Sequence, residues 1–182
     1  MTVLVTGNLG YIGSVLTPML IRGGYRVSGL DSGLFRDCLI APVGEPPEQI
    51  IKDVRDIELE DLRGVTTIVH LAGLSNDPLG EIDSALTEAI NYDASIRLGE
   101  LARSAGVRRL VYASSQSMYG RDASGIELGE DTSEKNPLTA YARTKWRAEQ
   151  DLMALRSSVF EVTALRPSTV YGASPRLRCD IV

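Results

Sequence analysis

Histidine, tryptophan and cysteine are nearly absent, with one His, one Trp and two Cys in 182 residues. Cys38 and Cys179 stand far apart, with no CxxC pair and no histidine cluster beside them. Two reduced thiols are therefore expected, and neither a metal site nor a disulfide framework. No apolar run approaches the ~20 residues a membrane-spanning helix needs, so no membrane association is expected. No basic run occurs, and the formal charge is −5 from 24 acidic and 19 basic residues. Nucleic acid and anionic membranes are poor partners for such a surface. No internal repeat and no low-complexity tract are visible, which removes solenoids and linker arrays. Residues 1–7 run straight into a strand pattern, so no signal peptide is expected, and the chain reads as cytoplasmic.

What is present is an ordinary globular composition, 43% hydrophobic and 24% charged, in a length that suits one well-buried domain. Short β-branched runs alternate with helical segments, the pattern of a parallel α/β sheet. Strands are expected over 3–6, 26–30, 49–52, 67–71, 109–114 and 159–165. Helices are expected over 12–21, where Pro18 should force a kink or local adjustment, over 83–104 and over 140–155. The long central helix is read from Ile82, Leu86, Ala89, Ile90, Leu98 and Leu101 at helical spacing. Gly33, Pro42, Gly44 and Pro46 mark an irregular excursion, and residues 120–137 read as a polar surface loop.

Between the first strand and first helix lies Thr6-Gly7-Asn8-Leu9-Gly10-Tyr11-Ile12-Gly13, a GxxGxxG turn. Gly7 permits the tight turn, Gly10 a close approach of backbone to a pyrophosphate, and Gly13 close packing of helix on strand. The helix start adds amide donors and a positive dipole end. Asp31 ends the second strand, where an acidic side chain accepts hydrogen bonds from an adenosine ribose and repels a 2′-phosphate. This favours NAD over NADP, with Arg36 close enough to complicate the choice.

Tyr141 and Lys145 form a YxxxK pair on the last helix. Four residues are about 400° of helix, so phenol and ammonium share a face. A neighbouring cation favours the phenolate, which makes Tyr141 an acid/base candidate for a proton that leaves as a hydride moves. Upstream, Ser114-Ser115-Gln116-Ser117 lies at the carboxyl end of the fifth strand, where open α/β sheets bind ligands. Turn formation, helix capping, or a tyrosine packed beside a lysine on a solvated helix accounts for each motif alone, but not for their order together.

The segments TGNLGYIG, HLAG, SSQSMYG, YARTK and RPSTVYG together resemble the extended short-chain dehydrogenase/reductases of the NAD-dependent epimerase/dehydratase group, over nearly the whole chain. The resemblance implies a Rossmann-type doubly wound parallel sheet of six or more strands with helices on both faces. Residues 1–182 would form one dinucleotide-binding domain, the amino-terminal part of a longer enzyme whose carboxy-terminal substrate lid is missing here. It implies Tyr141 as acid/base, Lys145 as its cationic neighbour and holder of the nicotinamide ribose, and Ser115 as the hydroxyl that contacts the substrate oxygen. For the cofactor it implies Gly7, Leu9, Gly10, Tyr11, Ile12, Gly13 and Asp31, with Asp53 and Val54 beside the adenine. Leu71, Ala72, Gly73, Asn91 and Pro167 complete that lining. Ser115, Gln116, Ser117 and Thr169 would face the substrate.

Departures from the family pattern narrow the chemistry. Gln116-Ser117 replaces the Asp-Glu pair with which related 4,6-dehydratases eliminate water. Ser75 stands where some 4-epimerases have a lysine, and Thr169 where many relatives have an asparagine. The leading expectation is a nucleotide-sugar epimerase that oxidises a sugar hydroxyl transiently, working as a homodimer. Its rivals are a nucleotide-sugar ketoreductase or dehydrogenase and a non-catalytic dinucleotide-binding protein.

Overall fold

The computed structural model describes residues 1–75, 81–121 and 127–176. Cys179 and the middle of the expected 120–137 loop lie outside them.

Six parallel strands form one sheet: β1 (Thr2–Thr6), β2 (Arg26–Asp31), β3 (Glu48–Ile51), β4 (Thr67–His70), β5 (Arg109–Ala113) and β6 (Glu161–Leu165). Their order is β3-β2-β1-β4-β5-β6. The two halves of this Rossmann-type sheet wind outward from β1 and β4, so the strand order reverses between them, the place where such sheets open a ligand crevice.

Alternation along the strands sorts the core into two layers. Val3, Val5 and Val27 pack with Leu20 and Ile21 of α1 (Gly13–Arg22). Leu4, Leu30, Ile68, Leu110, Tyr112 and Val162 point the other way. They meet Ala94, Leu98 and Ala102 of α3 (Ala94–Ser104) and Ala148 and Leu152 of α4 (Ala140–Ala154). At Gly99 a Cβ would stand 2.5 Å from Leu152, so α3 and α4 approach as closely as they do because that side chain is missing.

The expected strands are present with small shifts at their ends. β6 starts two residues later than expected: the Ser157 hydroxyl accepts the amides of Val159 and Phe160, and its amide donates to Phe160 O. That turn occupies the residues the β-branched pattern had suggested for strand. α1 carries Pro18 inside it without ending there. The single long helix expected over 83–104 is three pieces: α2 (Ser84–Glu88), a π turn (Ala89–Asp93) and α3. In the π turn the Ala94 amide bonds Ala89 O, five residues back. Across the three pieces the buried face runs through Thr87, Asn91, Ser95 and Leu98, while Ile82 and Leu86 of the expected apolar stripe face outward.

Candidate active site

The glycine turn joins the two halves of the sheet at their carboxyl edge. Gly7 has φ +72°, and its amide donates to Leu30 O at 2.8 Å. A Cβ there would stand 2.7 Å from Ala72 N, and one on Gly13 would stand 2.2 Å from Gly7 O. Gly7 is therefore required for both space and conformation, and Gly13 for space. A Cβ on Gly10 would have Gly7 O at 3.2 Å as its one near neighbour, which leaves that backbone open to a ligand. Ile12 precedes α1 without a side-chain cap, so the helix start is available to a phosphate. A cradle of this shape fits a dinucleotide pyrophosphate.

Two amides orient the Asp31 carboxylate at the end of β2. Leu9 N–H donates to its Oδ2 at 3.2 Å and Gly33 N–H to its Oδ1 at 2.9 Å. Arg36 turns to its neighbour Asp37 at 3.7 Å on an exposed surface. Asp53 caps a single 3₁₀ turn, and the Arg55 guanidinium on both of its oxygens lowers its pKa. Val54 is buried in the core.

Beyond β4, Leu71 N–H bonds Thr6 O at 3.1 Å, and Ala72 N–H reaches Thr6 Oγ1 at 3.4 Å. Asn91 is fully buried in the π turn and grips both sides of Leu74, accepting from its amide at 2.8 Å and donating to its carbonyl at 2.9 Å. Gly73 is held between Asn91 and Lys145: a Cβ would stand 2.9 Å from Asn91 Oδ1 and 3.5 Å from Lys145 Nζ.

Lys145 is the centre of the other half. Its Nζ donates to Ala113 O at 2.9 Å and stands 4.8 Å over the Tyr112 ring. Burial lowers its pKa to about 8. Ser115 follows that carbonyl by two residues, accepting from Ser117 N–H and donating to Ser117 Oγ, both at 3.1 Å. Tyr141 is half-buried, one turn before Lys145, on a helix whose start is fixed by the Thr139 cap on Ala142 N–H and by Glu81 on Ala140 N–H. The loop after β6 is tied to the serine segment, with Ser114 N–H on Leu165 O at 2.8 Å and Gln116 N–H on Pro167 O at 3.1 Å. Pro167 is thereby drawn beside Ser115, whereas Gln116 and Thr169 are exposed.

Two parts of this site escaped the sequence reading. Glu149, one turn past Lys145, takes Arg166 in a bidentate pair, Nε on Oε2 at 3.2 Å and Nη2 on Oε1 at 2.6 Å, with both side chains largely buried. Arg166 also donates to Tyr119 Oη and Glu130 O, each at 2.7 Å, which fastens the loop before α4 to the residue that follows β6. The spacing Tyr141-Lys145-Glu149 on one helix face was the available signal. The second part is His70, fully buried with a pKa lowered to about 3, chiefly by desolvation. Among the described residues no cluster of His, Cys, Asp and Glu could hold a metal, and no helix is long and apolar enough to cross a membrane.

A sequence model described as the NAD dependent epimerase/dehydratase family matches residues 3–180. The UDP-glucose 4-epimerase of Mycolicibacterium smegmatis is 32% identical over 94% of this chain and 57% of its own. Among solved structures, MoeE5 in complex with UDP-glucuronic acid and NAD superposes with a TM-score of 0.84 at 33% identity, covering 99% of this chain and 58% of that one. The UDP-glucose 4-epimerase of Thermus thermophilus, in complex with NAD, gives 0.79 at 31% identity, covering 91% and 54%. The chain thus spans little more than half the length of the relatives it matches.

Proposed function

Since the chain belongs to the NAD-dependent epimerase/dehydratase family, we propose that it forms the cofactor and proton-transfer half of an NAD-dependent nucleotide-sugar epimerase. The observation that carries this reading is Lys145 buried against Ala113 O, between the backbone of Gly73 and the helix that bears Tyr141. The chain's similarity to a protein solved with UDP-glucuronic acid and NAD, and to UDP-glucose 4-epimerases, supports the substrate class.

Bound NAD supplies a reversible two-electron acceptor for a carbon-bound hydride. Gly7, Gly10 and the start of α1 hold its pyrophosphate, and Asp31 holds the adenosine ribose. Leu9, Tyr11, Ile12 and Gly13 complete that turn. Val54 and Asp53 flank the adenine, while Leu71, Ala72, Asn91 and Pro167 shape the nicotinamide end. Tyr141 as phenolate takes the proton of a sugar hydroxyl, and Ser115 donates a hydrogen bond to the same oxygen. The Lys145 ammonium stabilises the phenolate. After the oxidised sugar has turned over, Tyr141 returns the proton. Gln116 and Ser117 carry no carboxyl group, so this site lacks the acid and base of water elimination. Gln116, Ser117 and Thr169 face the sugar.

The exposed Ile82 and Leu86 support a homodimer built on the helical stretches 83–104 and 140–155. The reading is tested by incubating the NAD-loaded protein with UDP-glucose or UDP-glucuronic acid. Interconversion of epimers with no net change in NADH absorbance is expected. Stoichiometric consumption of NADH or NADPH with a keto-sugar would identify a reductase instead, and NAD binding without turnover a non-catalytic protein.

A further inference from the structure

The carboxyl ends of β1, β4 and β5 carry Thr6, His70 and Tyr112 as direct neighbours in the parallel register. All three are fully buried, on the face that packs against α3 and α4. A polar row at that depth must meet its hydrogen bonds within the protein. Ala72 N–H donates to Thr6 Oγ1, and Thr6 Oγ1 lies 2.7 Å from His70 Nδ1. On the other edge of the ring His70 Nε2 lies 2.9 Å from Ser95 Oγ, which donates to the Asn91 main-chain carbonyl at 2.8 Å.

The directions in this chain follow from counting protons. A hydroxyl has one. Ser95 gives its proton to Asn91 O, so it accepts from His70, and Nε2 carries the ring proton. Nδ1 is then an acceptor, and Thr6 donates to it. The Tyr112 phenol faces Ser95 but makes no hydrogen bond of good geometry. Desolvation keeps the imidazole neutral, and the nearby Lys145 charge pushes in the same direction. An imidazolium would present two donors where this chain needs a donor and an acceptor.

We propose that His70, as the Nε2–H tautomer, is a positioning residue that joins the dinucleotide turn to the π turn behind Lys145. One arm runs through Thr6, which precedes Gly7 and holds the Ala72 amide against which Gly7 is wedged. It sets affinity for the dinucleotide. The other arm runs through Ser95 to Asn91, whose side chain fixes Leu74 and, with it, Gly73 beside Lys145 Nζ. It sets the place of the ammonium that serves Tyr141. This second arm rests on the assignment of Lys145 to the catalytic site.

Two substitutions cut the arms separately. Asn places an oxygen near the position of Nδ1 and keeps the Thr6 arm, whereas Gln places an N–H near Nε2 and keeps the Ser95 arm. In the NAD-loaded protein, His70→Gln is expected to raise the Kd for NAD about tenfold and leave kcat with UDP-glucose within about twofold. His70→Asn is expected to lower kcat about tenfold, shift the acidic limb of its pH profile and leave the Kd within about twofold. These are the effects of one buried hydrogen bond each. Should either variant fail to fold, Thr6→Val and Ser95→Ala cut the same two arms and carry the same expectations. If both variants move Kd and kcat together, in step with loss of melting temperature, or move neither, the proposal is overturned. Lys145→Met distinguishes the underlying assignment. Full kcat in that variant would refute the catalytic role of Lys145 while leaving the Thr6 arm measurable through NAD binding.

Discussion

The two halves of the sheet build their share of the site by opposite means. On the β1–β2–β3 side the work is done by side chains that are missing. Gly7, Gly13 and Gly29 each leave space already filled by backbone or by Asn8, within 2.2–2.7 Å of where a Cβ would be. On the β4–β5–β6 side polar and charged groups are buried and matched: Lys145 on Ala113 O, Glu149 on Arg166, His70 between Thr6 and Ser95. A ligand held by backbone needs nothing that titrates, whereas proton transfer needs groups whose charge the fold controls. Apart from the Asp31 carboxylate, the first half should therefore fail sterically and independently of pH, and the second electrostatically.

The largest effect is expected where a buried charge is orphaned. Glu149→Ala leaves Arg166 without its partner and frees the loop at Glu130, and should cost about 3–5 kcal/mol in denaturant unfolding. On the glycine side, Gly13→Ala forces a Cβ onto Gly7 O and should cost about 3 kcal/mol, with a melting temperature lower by about 6–12 °C. That loss should be the same at pH 6 and pH 9. An equal pH dependence for both variants would remove the contrast between the halves.

Lys145→Met sharpens it, because activity and stability should move in opposite directions. The folded pKa of about 8 lies below the ordinary 10.5. Between those values the unfolded chain holds the proton that the folded chain has lost, so the lysine's penalty is fully present below pH 8 and disappears as pH rises to 10.5. Without NAD, the variant is expected to melt about 5 °C higher than the native protein at pH 7, with the gap closing by pH 10. The smallest effect is expected at Asp31. Asp31→Asn removes the charge and keeps one of the two acceptor oxygens that Leu9 N–H and Gly33 N–H now use, so NADP affinity should rise about tenfold relative to NAD. An unchanged ratio would mean that Asp31 does not face the ribose.

The legibility of these halves from sequence also differs, for a physical reason. The glycine turn and YxxxK are local: their residues meet because they are three or four apart on one turn or helix. β1 to β6 were read to within two residues or so at each end. The Thr6–His70–Ser95 chain joins residues 64 and 25 positions apart, brought together only by strand register and helix packing. Glu149 and Arg166 are 17 apart and meet across α4 and β6. The π turn escaped for another reason. A five-residue hydrogen-bond step barely disturbs the spacing of apolar residues, yet it turns Asn91 inward to Leu74. Ile82 and Leu86 misled because an apolar stripe on a helix serves an external face as readily as a core.

The most direct measurement is the turnover of UDP-glucose by the NAD-loaded protein carrying Tyr141→Phe, which removes one hydroxyl and no packing. The account predicts that kcat falls by a factor of about 10²–10⁴ while the Kd for NAD stays within about twofold. A variant that turns over at the native rate would contradict it.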